Sequence, residues 1–555
     1  MEKRKAIVRV MPGMSRDAFV ALVERERGGA SRAVGTLAVP IGLRLLSDQL
    51  TPVLAYRRLV SADERTAPSF LLESVEGGER VGRHSILGAR PIVEVVAYER
   101  AVRVTDRRSV GEAIVTEHAS GDPLSMAREI TRSWRLVRPA PDEGGRDVPA
   151  CVLGGWFGMA AYDSVRYAEP EKLPFEGAPA DDRGLPDVHF GLYDGVVAFD
   201  HVEKLVYVVQ LAVVGEGART RDEIGRAYDD ACERLACRVE QVQTHSRPLA
   251  AGIVGGATQP AMLASNITRE RHAEIVAQAL EYIRAGDIFQ VVLGQRFEKR
   301  SEADPFDVYR ALRAVNPSPY MVYMQCEGCI LVAASPEILC RVRREEREGG
   351  ACFVVTNRPL AGTRKRGADD AEDRALEIEL LADPKERAEH VMLVDLGRND
   401  VGVVARAGSI ELPRVMEVER YSHVMHISST VTGVLRDGLD AWDALRAALP
   451  VGTISGAPKV RAMQIIDELE GVKRGPYGGG MGYVGLDGQM DVCLALRTIV
   501  VPVAMRDERG WIYHVQAAGG IVLDSQPDAE FMETVNKAAA MGRAIELAER
   551  AFGGS

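Results

Sequence analysis

Two pairs of glutamates stand three residues apart in this chain, Glu386 with Glu389 and Glu530 with Glu533. On a helix that spacing puts both carboxylates of a pair on one face. Two such faces brought together would suit a hard divalent cation such as Mg2+, which takes a few carboxylates and keeps positions for water and an anionic ligand. Four acids at close range repel one another, and a cation neutralises them while its remaining charge attracts an anion. Each pair also has an ordinary explanation. Asp383-Pro384-Lys385-Glu386 has the form of a capping box with proline in the first turn. Glu533 and Lys537 have the i, i+4 spacing of a helical ion pair.

Other segments suggest anion binding. Gln516-Ala517-Ala518-Gly519-Gly520 follows an apolar run, and such small residues let backbone N–H groups approach an anion, although they also serve as a plain turn. Pro450 to Lys459, with Thr453 inside it and Pro458 near its end, reads as a loop entering a helix, hence as an anion site or simply a cap. In the run Ile288 to Leu293, alternation puts the Gln290 amide on one face with Ile288 and Val292, where burial would oblige it to find partners. Arg497 lies in the apolar string LALRTIV. An unpaired guanidinium there costs on the order of several kcal/mol, so a carboxylate from protein or ligand is expected. His426, in VMHISSTVTG, fits either a satisfied core histidine or a functional one.

The elements that would position these groups follow from periodicity. After Ser265-Asn266, apolar Ile275, Val276, Ala279, Leu280 and Ile283 predict a helix that Gly286 can end, followed by a strand over 287–296. Further strands are expected at 330–334, 351–356, 494–503 and 511–517, with helices near 385, 460 and 530. In the first half, apolar runs at 188–199 and 205–214 alternate with turns. Strands and helices do not alternate regularly, so a mixed α+β fold is expected rather than a doubly wound one. The expected organisation is an extension at 1–45 with an amphipathic run from Asp17 to Arg27, a lobe at 46–248, a linker at 249–262 and a catalytic lobe at 263–555, the two lobes interleaved.

At 555 residues the chain should hold more than one lobe, about 150 residues each. Net charge is −11, and no basic stripe interleaves with aromatics, which argues against nucleic acid. No run approaches the ~18 uninterrupted apolar residues of a membrane span, and the N-terminus lacks the form of a secretory signal, so a cytoplasmic location is expected. The eight cysteines are scattered; Cys326 and Cys329 have metal-like spacing without a second such pair, and read as a turn between strands.

Eight strings, taken in order, resemble the chorismate-utilising enzymes, and within them the large subunits of anthranilate synthases. They are LLES (71–74), AGDIFQVVL (285–293), NPSPYM (316–321), SPE (335–337), RPLAGT (358–363), EHVMLVDLGRND (389–400), GTISGAPKVRAM (452–463) and EFMETVNKA (530–538). The resemblance runs from about residue 46 to the C-terminus and implies an α+β fold of mainly antiparallel sheets in a sandwich flanked by helices. It implies Glu389 and Glu533 as Mg2+ ligands with Glu386 and Glu530 beside them. It implies Arg497, Tyr477 and the backbone of Ala518, Gly519 and Gly520 as a cradle for the chorismate carboxylate, with Gly362, Thr363 and Thr453 along the ring. The chain has QAAGG where the family usually has QAGAG, which bears on how closely the backbone approaches at Ala518.

The implied reaction adds ammonia to chorismate, expels hydroxide and eliminates pyruvate to leave anthranilate, with Glu337 as general acid and His426 assisting. Gln290 stands where water-adding relatives carry a lysine, and Ala361 where aminodeoxychorismate synthases carry a nucleophilic lysine, so free ammonia is the implied nucleophile. No glutaminase signature remains unassigned, which implies a separate glutamine amidotransferase small subunit. LLES and NPSPYM resemble tryptophan-binding elements of feedback-inhibited members, implicating Glu73, Ser74, Pro319, Tyr320 and Met321, with Met481, Gly482 and Tyr483 adjoining. Alternatives are an enzyme that halts at aminodeoxyisochorismate and a catalytically silent tryptophan-binding regulator.

Overall fold

In the computed structural model, residues 12–553 are described apart from 29–34, 62–63, 65–66, 77–79, 110, 120, 244–248, 256–262, 348–349 and 422–423. Two large sheets dominate the described residues, one of 13 strands and one of 12. Neighbouring strands run antiparallel except for Thr36–Leu46 beside Trp134–Leu136. The mixed, mainly antiparallel α+β architecture is the one expected.

The sheets pack face to face over an apolar layer. Phe70 of the larger sheet stacks on Phe157 of the smaller, ring centroids 3.9 Å apart, and Val322, Met324, Leu331, Met481 and Tyr483 extend the layer. Such aromatic pairs contribute about 0.5–1.5 kcal/mol beyond their buried area. Because both sheet faces are covered, strands such as Val188–Tyr193 are buried throughout and read as continuous apolar runs. On the outer face of the larger sheet lie the helices Arg16–Gly28, Arg221–Gln243, Pro305–Val315 and Pro527–Phe552. The outer face of the smaller sheet is covered by Pro123–Thr131, Pro384–Val404 and Ala441–Ala448.

Several sequence boundaries shift for physical reasons. The run expected as one strand over 188–199 is a hairpin, Val188–Tyr193 and Gly195–Asp200. The strand expected over 494–503 breaks at Arg497, whose φ of 46° is in the left-handed region that non-glycine residues rarely adopt. Strands Met490–Leu494 and Thr498–Pro502 flank that break and belong to different sheets. The expected boundary at residue 45 falls inside Thr36–Leu46, which is paired along its length with Leu205–Val214, so this stretch is part of the body rather than an extension. The amphipathic run Asp17 to Arg27 is the Arg16–Gly28 helix, packed by Phe19, Val20, Leu22 and Val23. Residues 249–255 of the expected linker form neither helix nor strand, and 256–262 lie outside the described residues. The two halves of the chain interleave: Ser69–Glu73 pairs with Tyr320–Cys326, and Gly155–Ala160 with Gly480–Gly485. Cys326 and Cys329 face each other across the expected turn.

Candidate active site

A cavity of about 670 Å3 opens where the two sheets and the helices Pro384–Val404 and Pro527–Phe552 meet. Into it converge Gln290, Glu337, Gly362, Thr363, Glu386, Glu389, His426, Thr453, Tyr477, Arg497, Ala518, Gly520, Glu530 and Glu533. Both glutamate pairs therefore reach one space. Asp383 caps the first helix, accepting from the backbone N–H of Lys385 at 2.9 Å and of Glu386 at 3.3 Å. The capping box is only half formed, because Glu386 turns its carboxylate toward the cavity and accepts from Arg364 Nη1 at 3.2 Å.

Burial, followed by the charges of Glu386 and Glu533, pushes the Glu389 pKa up. Burial also raises that of Glu530, whose Oε2 has no hydrogen-bond partner. The expected Glu533–Lys537 ion pair is present at 2.7 Å, and Lys537 Nζ also donates to the Ala518 carbonyl at 2.9 Å. Among the described residues no three His, Cys, Asp or Glu side chains are grouped as a metal cage. Two of the four carboxylates are engaged by cations, Glu386 by Arg364 and Glu533 by Lys537. The donor set nonetheless fits a hard cation, being all carboxylate with one buried oxygen orphaned. Glycines keep the space open. A Cβ on Gly519, which does not itself line the cavity, would sit 3.1 Å from Glu530 Oε2, and one on Gly520 would sit 2.5 Å from Gln290 Nε2.

The opposite wall carries Glu337, which is 4% exposed and accepts on Oε1 from the Thr453 hydroxyl at 3.1 Å. Burial pushes its carboxyl up to about 8, against the lowering effect of Thr453. His426 sits in Val424–Val434, directly opposite Thr363 of Leu360–Lys365. Its Nδ1 is 3.0 Å from Thr363 Oγ1 and 3.2 Å from the Gly362 carbonyl, while Nε2 is buried without a partner. Since a carbonyl only accepts, the network assigns the proton to Nδ1 and leaves a lone pair on Nε2. Burial, reinforced by the charge of Arg497, lowers this imidazole to about 3, so it is neutral near pH 7. Arg497 has no carboxylate partner among the described residues, and burial lowers its pKa. Gln290 Nε2 donates to Glu389 Oε1 at 3.4 Å, leaving Gln290 Oε1 unpartnered.

Sequence reading missed several groups here. Lys537, singled out only as a pairing partner for Glu533, is a cavity residue in its own right, as are Lys385, Asn316 and Arg543. Asn316 begins the NPSPYM string and leaves Nδ2 buried without a partner. Arg474, 2% exposed, clasps two walls by donating to the carbonyls of Ile454 and Val292, each at 2.7 Å, and pairs with Glu470 at 2.6 Å. Nothing in its local sequence distinguishes it from a surface arginine.

A second cavity, of about 580 Å3, collects Glu73, Ser74, Pro319, Tyr320, Met321, Met481, Gly482 and Tyr483. Its unforeseen feature is charge. Arg341 and Arg343 reach Asp491 at 3.0 and 2.8 Å, and Asp491 also accepts from the Tyr320 hydroxyl at 2.8 Å. The Glu73 carboxylate is engaged by the Tyr309 hydroxyl at 2.6 Å and by Arg313 at 2.8 Å.

Residues 68–543 match the family model described as chorismate binding enzyme. The chain is 51% identical over 541 residues to the chloroplastic anthranilate synthase alpha subunit 1 of Arabidopsis thaliana, covering 94% of this chain and 88% of that protein. It is 41% identical over 516 residues to anthranilate synthase component 1 of Acetivibrio thermocellus, covering 92% and 96% respectively. Among solved structures, anthranilate synthase component I from Streptococcus pneumoniae superposes with a TM-score of 0.65 at 33% identity, covering 90% of this chain and 99% of that one. The menaquinone-specific isochorismate synthase of Escherichia coli, at 17% identity and a TM-score of 0.62 over 95% of this chain and all of that one, shares the fold.

Proposed function

The chain belongs to the chorismate binding enzyme family, and from that premise we propose that it converts chorismate and ammonia to anthranilate, pyruvate and water, as the larger component of an anthranilate synthase. The single observation that carries this reading is the larger cavity, which is lined by a half-buried Arg497 with no carboxylate partner among the described residues, by four carboxylates and by Glu337, whose pKa burial raises to about 8. An unpaired guanidinium and a cluster of acids in one cavity fit a ligand that is itself an anion bound together with a cation.

Arg497 receives one chorismate carboxylate, with Tyr477 and the small-residue strand end at Ala518 to Gly520 beside it. Glu389 and Glu533, with Glu386 and Glu530 adjoining, would hold Mg2+, which when bound would supply Lewis-acid charge to orient the other carboxylate. Gly362, Thr363 and Thr453 border the ring. Glu337 keeps its proton at pH 7 and gives it to the departing hydroxyl, which leaves as water; general acids of this kind contribute about 10²–10⁴-fold. His426 offers the Nε2 lone pair to the proton lost as the ring becomes aromatic, and the enolpyruvyl group leaves as pyruvate. The Gln290 amide, which has no basic nitrogen, orients rather than deprotonates the incoming ammonia.

Relatives named component 1 and alpha subunit support a second component, read here as a glutamine amidotransferase that supplies ammonia. The smaller cavity is read as the site of feedback inhibition by tryptophan: Ser74 and backbone groups take the amino-acid end, and Pro319, Tyr320, Met321 and Tyr483 take the indole, favouring an inactive state. No helix among the described residues is long and apolar enough to cross a membrane. The location is read as cytoplasmic. An assay of anthranilate fluorescence with chorismate, Mg2+ and ammonium tests the reading. The purified chain should turn over with ammonium and stay silent with glutamine until the amidotransferase is added. Release of a product that retains the pyruvyl group, or no turnover at saturating ammonium and Mg2+, would overturn it.

A further inference from the structure

The two cavities share a wall. Pro336 borders both, Glu337 lines the larger and Ile338 the smaller. Glu419 and Tyr421 line the smaller cavity, and Val424 and His426 line the larger. At this second crossing a side chain of one lining touches a side chain of the other. Tyr421, 5% exposed, lies edge-on to the His426 imidazole, with ring centroids 5.6 Å apart and planes at 60°. Its hydroxyl donates to Glu419 Oε2 at 2.9 Å, and Glu419 is held in turn by Arg358 and by the Ser428 hydroxyl. Its backbone is pinned as well, the carbonyl accepting from Arg366 Nη1 at 2.7 Å.

An imidazole hydrogen-bonded only through Nδ1 can still swing about that bond, and rotamer freedom there would move Nε2 through the cavity. Gly362 and Thr363 hold one edge of the ring. The Tyr421 ring supplies the lateral stop, held in place chiefly by its burial and by the Arg366 bond to its backbone carbonyl. We propose that Tyr421 is a positioning residue that holds Nε2 of His426 on the reacting ligand without touching the ligand itself. The proposal rests on His426 being the group that takes the proton.

The test compares Tyr421→Leu and Tyr421→Phe, each made alone and in a His426→Ala background, in the full chain with chorismate, ammonium and Mg2+. Tyr421→Leu should lower kcat by about 10-fold or more, since small misplacements of a reacting group cost up to about 10²-fold, with KM for chorismate within about twofold. Tyr421→Phe keeps the ring and should recover most of the lost kcat. In the His426→Ala background Tyr421→Leu should cost nothing further, because the residue it steadies is gone. Equal losses in both backgrounds, or no loss in either, would overturn the assignment. A readout independent of turnover is the ring 15N signal of His426, recognised by its absence from His426→Ala. It should shift and broaden in Tyr421→Leu, as the ring samples more than one orientation, and stay in place in Tyr421→Phe; an unmoved, sharp signal in Tyr421→Leu overturns the proposal. If the parent chain makes no anthranilate, the functional reading fails, yet the ring signal still decides whether Tyr421 holds His426.

Discussion

The larger and smaller cavities are similar in size and share a wall, yet their polar groups are kept in opposite conditions. In the smaller cavity the charges are matched: Glu73 with Arg313 and Tyr309, Asp491 with Arg341, Arg343 and Tyr320, Glu419 with Arg358. Arg358 Nε and His84 Nε2 are buried there without a hydrogen bond, although His84 Nε2 lies 3.3 Å from an Asp200 oxygen. In the larger cavity Gln290 Oε1, His426 Nε2, Asn316 Nδ2, Gln516 Oε1 and Glu530 Oε2 are buried without partners. Leaving such atoms unmatched costs about 1–3 kcal/mol each. Ligand atoms could complete that set, which agrees with the proposal of chemistry in the larger cavity and of effector binding in the smaller.

The contrast can be broken or sharpened by substitution. The largest effect is expected for Glu337→Gln, which removes the donor proton and should lower kcat by about 10²–10⁴-fold; a change under tenfold would remove Glu337 from proton transfer. Next is Arg497→Met, which should reduce kcat/KM for chorismate by about 10- to 100-fold, the equivalent of a lost charge-assisted bond. An unaltered kcat/KM would mean that Arg497 is only structural. Ser74→Phe, in the matched cavity, should abolish inhibition by tryptophan, and persisting inhibition would locate the effector elsewhere.

A pH effect belongs to the larger cavity, which both titrating groups line. With Glu337 raised to about 8, its acid form prevails below that pH, and kcat should decline as pH rises through it. The linked stability has the same sign. In the unfolded chain the carboxyl ionises near 4.5, so the contribution of the neutral buried form is complete below that value and is lost as pH rises toward 8. His426, lowered to about 3, works in the other direction: its contribution is present above 6.5 and is lost as pH falls toward 3. Melting profiles between pH 5 and pH 9 should therefore lose less stability as pH rises toward 8 in Glu337→Gln. The smallest effect is expected for Tyr309→Phe, which removes one bond to the Glu73 carboxylate. It should cost about 1–3 kcal/mol of stability, measured by chemical denaturation, while leaving the pH profile of turnover unchanged.

Local pattern made many elements legible. Apolar spacing after Ser265 marks the helix Arg269–Arg284, and the Leu205–Val214 run is a strand over its expected length. The carboxylate pairs at 386/389 and 530/533 lie on helices because Pro384 and Pro527 open them. Arg497 was harder to read. It looks like the middle of a strand, and only the left-handed turn there releases its side chain from the ladder into the cavity. Arg474 gave no signal because its partners are backbone carbonyls at Ile454 and Val292, far away in the chain. The half-formed capping box has the same origin: Glu386 could satisfy its own helix, but a nearby guanidinium from Arg364 competes for it.

By itself the sequence determined the periodicities, the caps, the family strings and therefore which residue types are available, since these depend on neighbours within a few positions. Tertiary structure alone decided that Glu389 and Glu533, on helices remote in the chain, would share one cavity, that Arg364 would engage the neighbouring Glu386, and that Tyr421 would stand against His426. Those outcomes depend on long-range packing and on desolvation, and neither is a property of any short stretch of chain.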